Sequence, residues 1–188
     1  MERNEVTLPV VVKPTTGAGT EFVTQCETPM DVLSSIRCCE GYETTQVTKI
    51  DAFCLQEFLI GTEYVVDVVS YDDIHVVTDV WRSFKDLQRV TSTRVRKYVQ
   101  LNMKEEDKRP PFESTTFVYD RQEFIPRCDA VSDPEAHAVV EYVFKCLDAL
   151  EYKYGSSHTE VMFTADGPKL IEVNPRQQGD VPRSFELV

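Results

Sequence analysis

Residues 157–180 read SHTEVMFTADGPKLIEVNPRQQGD, and this stretch is the strongest indication of the fold. Two short runs flank the pair Asp166-Gly167, and each contains both polar and apolar residues. An Asp-Gly pair between such runs is typical of the tight turn that joins two antiparallel strands. The stretch therefore predicts a β-hairpin that packs through apolar residues such as Val161, Phe163 and Leu170.

One face of this hairpin is expected to be polar. Alternate residues of a strand share a face, so His158 and Glu160 point the same way. Glu172, Asn174 and Arg176 share a face on the partner strand, and the turn lets both sets converge. Oxygen ligands suit Mg²⁺ and a guanidinium suits phosphate, so this face could hold a magnesium–phosphate group. An exposed hairpin face with Glu–Arg pairs explains the same spacing, and both interpretations stay open.

A lysine ends the first apolar run of the chain. Residues 8–13, LPVVVK, have the pattern of a buried strand, and Pro14 and a loop containing Gly17 and Gly19 follow. Lys13 could neutralise a phosphate that loop N–H groups cover, although the pattern GxxxxGK[ST] is absent. Taken alone, the segment favours the alternative, a lysine at a strand end whose ammonium reaches water.

The segment 56–63, QEFLIGTE, places Gly61 between two strand-like runs. An extended backbone there could bond an adenine edge, and Glu63 could hold ribose hydroxyls. The alternative is that this segment is only a strand, a break at the glycine and a second strand, with no ligand bound.

Two helices are expected elsewhere in the chain. The first covers 28–39, with Thr28 as N-cap, and the second covers 133–155, with Asp133 as N-cap and Gly155 as its end. The first would pack through one apolar face, formed by Met30, Val32, Leu33 and Ile36.

Strands dominate the remaining predictions, so the fold class is α+β rather than a repeating βαβ array. Further strands are expected at 20–26, 53–60, 63–70 and 73–84. The charged residues 101–113 contain a proline pair and are expected to form a mobile loop.

Composition limits the function. A net charge of −12 over 188 residues argues against nucleic acid, because phosphate-backbone binding needs a basic surface. A nucleotide stays compatible, since a few cations and a metal can hold a triphosphate. No run approaches the roughly 20 apolar residues of a membrane span, and no signal peptide is expected. The six cysteines form no CxxC pair, which predicts reduced thiols in a cytoplasmic protein.

Three segments in order resemble a known family. PVVVKP with GAGT, then QEFLIGTEYVVDVV, then GSSHTEV and GPKLIEVNPR resemble the ATP-grasp superfamily of ATP-dependent carboxylate–amine ligases over about residues 8–180. Two acids twelve residues apart, followed by E-x-N-x-R, are the most specific part. They are most similar to the branch that joins amino acids into dipeptides. The resemblance implies two α+β lobes of mainly antiparallel sheets that clamp ATP, a small lobe over 1–62 and a large lobe over 63–188.

The resemblance also implies a role for each matching residue. The contacts to ATP would be Lys13 at the α/β phosphates, Gly17, Ala18 and Gly19 in the loop over them, the backbone of Glu57, Phe58 and Leu59 at adenine, and Glu63 at the ribose. The ligands of Mg²⁺ or Mn²⁺ would be Glu160, Glu172 and Asn174. Arg176 would bind the transferring phosphate, and His158 would lie near the reacting carboxylate.

The implied function is a ligase that activates a small carboxylate, an amino acid being the expected one, as an acyl phosphate and joins it to an amine. Only twelve residues precede Lys13, and the family's N-terminal domain is not among them. A partner protein or a second copy of the chain is expected to supply it. Two alternatives stay open: a nucleotide-binding or regulatory module without complete catalysis, and an ATP-grasp domain of the biotin or purine carboxylase type.

Overall fold

The structure is a computed structural model that describes residues 7–44, 46–91, 113–126, 130 and 132–179. The chain divides into two compact units. Unit 1 consists of Met1–Phe58 and Lys85–Asp120, and unit 2 of Leu59–Phe84 and Arg121–Val188. The two lobes expected over 1–62 and 63–188 stay a prediction.

The described residues form eight strands and two helices. The strands are β1 Val10–Pro14, β2 Thr24–Cys26, β3 Phe53–Glu57, β4 Thr62–Tyr71, β5 Ile74–Thr91, β6 Glu113–Ile125, β7 Tyr154–Thr164 and β8 Gly167–Asn174. The helices are α1 Pro29–Cys39 and α2 Pro134–Ala149. The described pairings of β1, β4, β7 and their neighbours are antiparallel. The predicted α+β class is confirmed.

Unit 1 has the strand order β3-β1-β2-β6. Its core contains the buried residues Val10, Val12 and Cys26, against which α1 packs Val32 and Ile36. The expected apolar face of α1 is partly wrong, because Met30 is 65% and Leu33 47% exposed, and Ser35 and Cys39 are buried instead. Ser35 faces the core because its hydroxyl lies 2.8 Å from the buried Thr24 hydroxyl, so its polar atom is satisfied there.

The start of α1 is the one that the sequence predicts. The Thr28 hydroxyl accepts from the Asp31 N–H at 3.2 Å, and the Asp31 carboxylate accepts from the Thr28 N–H at 2.9 Å. These reciprocal bonds form a capping box and satisfy N–H groups that a helix start leaves without partners.

Unit 2 has the strand order β6-β5-β4-β7-β8. Helix α2 packs on one face of this sheet, where Val139, Val143 and Leu147 are fully buried. The strand residues of the same core are Tyr64, Val66, Val68, Val80 and Val161. The other face, which points away from α2, is here called the site face.

Helix α2 begins as predicted and ends earlier. Asp133 is its N-cap and accepts from the N–H groups of Glu135 and Ala136 at 3.0 and 3.3 Å. The predicted end at Gly155 is wrong, because the helix stops at Ala149 and Gly155 lies in β7. Glu151 adopts a φ of 52°, in the left-handed region, and reverses the chain there.

Other boundaries differ as well. The strand expected at 20–26 is only β2, since Thr20 and Phe22 have φ values of 63° and 57° that no strand permits. The strand expected at 53–60 ends at Glu57. The long strand β6 was not expected, and the loop predicted for 101–113 lies outside the described residues except for Glu113.

Within the described part of the chain, neither helix has the length and apolar character needed to cross a membrane. The five described cysteines, Cys26, Cys38, Cys39, Cys54 and Cys146, are free thiols.

Candidate active site

The β7–β8 hairpin brings the two predicted metal-binding glutamates together. Glu160 pairs directly with Glu172 across the two strands, and His158 pairs with Asn174. The Asn174 side-chain amide donates a hydrogen bond of 2.8 Å to Glu172 Oε1. Directly opposite residues on an antiparallel pair share a face. The hairpin therefore holds the four side chains on the site face.

The hairpin itself contains an irregularity beside these residues. Glu160 pairs with Glu172 while Val161 pairs with Leu170, so Ile171 is an extra residue in β8. The predicted turn is displaced by one residue, because Ala165 and Asp166 form the two-residue loop and Gly167 begins β8 with a φ of 100°. The bulge lets Glu172 lie on the site face while Leu170 packs in the core.

A residue from another strand completes the cluster. Asp67, in β4, pairs directly with His158 in β7, and its Oδ1 lies 3.0 Å from His158 Nδ1. Both side chains are 7% exposed. On its other side, His158 Nε2 lies 3.7 Å from Glu160 Oε1. The site thus contains a line of three charged groups, Asp67, His158 and Glu160.

The surroundings of His158 favour its protonated form. Burial lowers the pKa of His158, but the hydrogen bonds and charges of Asp67 and Glu160 outweigh burial and raise it to about 9. A fixed positive charge therefore lies beside Glu160 at neutral pH.

Asp67 is the main residue that the sequence analysis missed. It lies in the run EYVVDVV, where its neighbours Val65, Val66 and Val68 are buried. A carboxylate at 5% exposure within such a strand requires a partner. This interruption of an apolar run is a signal that could have identified Asp67, although it does not name His158 as the partner.

The site face carries a further acid opposite Asp67. Asp79, in β5, pairs directly with Asp67 across the β4–β5 ladder. Val68 pairs with Val77, so Thr78 is an extra residue that forms a second bulge. The bulge allows Asp79 to share the site face while Val77 packs against the core.

The donor set fits a divalent cation. Two carboxylates placed directly opposite each other repel unless a cation lies between or beside them. Glu160 and Glu172 provide hard oxygen ligands, and Asn174 adds an amide oxygen, which is the chemistry that Mg²⁺ and Mn²⁺ prefer. Among the described residues no group of three or more His, Cys, Asp or Glu has the arrangement of a metal site.

Two further predicted residues of unit 2 flank this cluster. Glu63 in β4 is 8% exposed and pairs with Ser83 of β5 and Met162 of β7. It lies on the same face of the sheet as Glu160, two residues from Val65, the β4 partner of Glu160. Arg176 follows β8 and is exposed, with its N–H bonded to the Asn174 carbonyl at 2.8 Å and its Nη1 to the Gln177 carbonyl at 2.9 Å.

The phosphate-binding candidates lie in unit 1. Lys13 is half-buried in β1, opposite Cys54 of β3. The loop after it has Gly17 at a φ of 139° and Gly19 at 64°, with Ala18 exposed between them. These backbone angles are ones that residues with a Cβ rarely adopt, which explains the two glycines.

The predicted adenine segment follows β3. Glu57 ends that strand, and the Phe58 N–H bonds to the Pro9 carbonyl at 3.3 Å. The Phe58 ring stacks on Phe117 at 6.4 Å between centroids. Leu59 is the first residue of unit 2. A contact of these residues with adenine stays a prediction.

Trp81 and His75 of β5 have well-defined environments. Trp81 is 7% exposed and its ring lies 5.0 Å from the Phe124 ring centroid. The His75 side chain is 6% exposed and bonds to Ser70 at 2.7 Å and Asp148 at 3.2 Å.

Comparison with known proteins identifies the family. Residues 1–180 match the ATP-grasp domain family. This chain belongs to the ATP-grasp family. The resemblance found in the sequence is therefore confirmed.

The relatives include amino-acid ligases. Dapdiamide A synthase of Enterobacter agglomerans is 28% identical over 178 residues, which cover 91% of this chain and 34% of that protein. The L-amino acid ligase of Bacillus licheniformis has a TM-score of 0.54 at 20% identity, over 94% of this chain and 34% of that one. The VanG D-Ala:D-Ser ligase of Enterococcus faecalis has a TM-score of 0.54 at 18% identity, over 92% and 41%. The chain spans about a third of the length of the curated relative that it matches.

Proposed function

We propose that this chain is the ATP-binding core of a ligase that activates a small carboxylate as an acyl phosphate and forms a C–N bond. One observation carries the proposal: in an ATP-grasp chain, Glu160 and Glu172 oppose each other on one sheet face, with a donor beside each. The relatives dapdiamide A synthase, L-amino acid ligase and D-Ala:D-Ser ligase support an amino acid as the carboxylate.

The ATP contacts in this proposal follow the family match. Lys13 would bind the α/β phosphates under the loop formed by Gly17, Ala18 and Gly19. The backbone of Glu57, Phe58 and Leu59 would bind adenine. Glu63 would bind the ribose. The positive φ angles of the two glycines support a loop whose N–H groups can turn toward an anion.

Glu160, Glu172 and Asn174 would hold Mg²⁺ or Mn²⁺, which when bound would supply positive charge to the phosphate oxygens. Arg176 would bind the transferring phosphate as a guanidinium fork. His158, fixed by Asp67, would place a second positive charge where negative charge accumulates.

The proposed reaction has two steps. An oxygen of the substrate carboxylate attacks the γ-phosphorus of ATP, the bond to the β-phosphate oxygen breaks, and ADP leaves. An amine then attacks the acyl carbon, loses a proton, and inorganic phosphate leaves. The loop that contains Gly17 and Gly19 would exclude water, which otherwise hydrolyses the acyl phosphate.

The relatives are longer than the segment that this chain matches. We propose that additional polypeptide completes the pocket for the carboxylate and the amine, with a partner or a second copy as the candidates. The free thiols of the described cysteines support a reducing compartment, and we propose the cytoplasm.

The test is ADP and phosphate release from Mg·ATP with pools of amino acids. The expected result is release that depends on an added amino acid and is lost in Glu172→Gln. The matched control is Glu141→Gln, an exposed position of α2, which should keep full activity. Turnover that survives Glu172→Gln would refute the metal assignment.

Other outcomes would support the alternatives. ATP binding without turnover in any pool would indicate a nucleotide-binding module. Turnover that depends on bicarbonate rather than on an amino acid would indicate a carboxylase.

A further inference from the structure

Asp67 lies on the site face, in the central strand of unit 2, beside His158 and Glu160. Its strand, β4, is flanked by β5 and β7, and its neighbours Val65, Val66 and Val68 are at most 2% exposed. A carboxylate in such a strand is costly unless a hydrogen-bond partner compensates for the lost water. Because burying this carboxylate costs free energy, Asp67 is expected to have a function that an apolar residue could not provide.

The partner of Asp67 is oriented by the contact. A carboxylate can only accept, so His158 donates its Nδ1–H to Asp67 Oδ1 at 3.0 Å. This bond fixes the ring, and the opposite nitrogen, Nε2, then lies 3.7 Å from Glu160 Oε1. Because His158 and Asp67 are each 7% exposed, water offers little competition for either group.

The cluster is built so that each glutamate has its own donor. Asn174 donates to Glu172 at 2.8 Å, and the Nε2 of His158 faces Glu160. These two donors are themselves a direct cross-strand pair, as are the two glutamates. Asp67, on a third strand, anchors the His158 side. Through this anchor, β4 determines the orientation of a carboxylate that lies in β7.

We propose that Asp67 is a positioning residue that orients Glu160 for the divalent cation by holding the His158 ring. The inference rests on the proposed function, since it assumes that Glu160 and Glu172 bind the metal. Residues that hold a group beside a metal ligand typically change metal affinity by 10- to 100-fold when they are replaced.

The chain offers a matched control for the charge of Asp67. Asp79 lies directly opposite Asp67 on the same face of the sheet, so replacing either residue removes one negative charge from nearly the same place. The Asp67 side chain bonds to His158, whereas Asp79 is related to Asp67 only as its partner in the β4–β5 ladder. A pure charge effect would appear in both variants, and a positioning effect only in Asp67 variants.

The experiment measures Mn²⁺ binding by electron paramagnetic resonance, with and without ATP. The variants are Asp67→Asn, Asp67→Ala, Asp79→Asn, Asp79→Ala and Glu172→Gln. At position 67 the affinity for Mn²⁺ should fall in the order Asp, Asn, Ala, because Asn keeps an acceptor of the same shape. The loss of affinity in Asp67→Ala should be about tenfold. Position 79 should change the affinity by less than about threefold, the size of one screened surface charge.

A second readout reports the hydrogen bond itself. Proton NMR of nitrogen-labelled protein should show the His158 Nδ1–H as a low-field resonance that disappears in Asp67→Ala and persists in Asp79→Ala. Urea unfolding with EDTA gives the folded fraction, so that affinity per folded chain is compared.

The outcomes separate the two proposals. Equal losses of affinity at positions 67 and 79, or none at 67, with a large loss in Glu172→Gln, would overturn the role of Asp67 alone. Unchanged Mn²⁺ binding in Glu172→Gln would overturn the metal assignment and the role of Asp67 together. A loss at 67 but not at 79, with the low-field proton lost in Asp67→Ala, supports the proposal.

Discussion

Replacement of His158 with glutamine should change the dependence of stability on pH. In the folded protein the pKa of His158 is raised from 6.5 to about 9, as hydrogen bonds and charges from Asp67 and Glu160 outweigh burial. A raised pKa means that the folded state binds the proton more tightly than the unfolded state. The pair therefore contributes its full stability below about pH 6.5 and loses it as the pH rises through about 9.

The magnitude follows from the size of the shift. At about 1.4 kcal/mol for each pKa unit, the rise from 6.5 to about 9 corresponds to at most about 3.4 kcal/mol. Solvent that reaches the pair screens part of this, and we expect about 2 kcal/mol.

The assay is urea unfolding in EDTA at about pH 6 and about pH 10, with linear extrapolation to water. The free energy of unfolding of the native protein should exceed that of His158→Gln by about 2 kcal/mol more at the lower pH than at the higher. Effects of pH that do not involve His158 or its two partners are common to both proteins and cancel. His137→Gln makes the same substitution at an exposed position of α2, away from the pair, and is the control. A difference between native protein and His158→Gln that is the same at both pH values would refute the reasoning.

Three further changes test the fold of unit 2 by urea unfolding. Leu147→Ala removes a side chain that is fully buried between α2 and the sheet, and should cost about 3 kcal/mol of unfolding free energy. Asp133→Ala removes the acceptor of two N–H groups at the start of α2 and should cost about 1.5 kcal/mol; Asp133→Asn should recover most of it. Gly61→Ala should cost about 3 kcal/mol, because a Cβ there would overlap the Phe163 carbonyl oxygen, whereas Gly179→Ala, with open space around it, should cost less than about 0.5 kcal/mol. Equal costs for the two glycine changes would contradict the close approach at Gly61.

The hairpin was predictable from sequence because its information is local. Alternation places His158 with Glu160 on one face of β7, and Glu172 with Asn174 on one face of β8. A regular two-residue turn would put these two pairs on opposite faces, and the extra residue Ile171 brings them to the same face. The sequence gives no local sign of that bulge.

The partner of His158 was not predictable in the same way. Asp67 is 91 residues away in sequence, and nothing in the spacing of either strand selects the register that pairs them. The same limit applies to α1, where periodicity favours Met30 and Leu33 as core residues. The buried face of α1 is instead set by the hydroxyls of Ser35 and Thr24, which satisfy each other only after β2 and α1 have packed. Contacts of this kind depend on tertiary structure and leave no periodic signal.

The two extra residues, Thr78 and Ile171, also mark where the length of this chain can change. In an ordinary strand the loss of one residue turns every following side chain to the opposite face. Deletion of Thr78 would leave Val77 facing the core and Asp79 facing the site, as each does now. Deletion of Ile171 would likewise leave Leu170 and Glu172 on their present faces. Single-residue deletions at these two points would therefore alter the local twist and the separation of the acids while the assignment of residues to core and site stays the same.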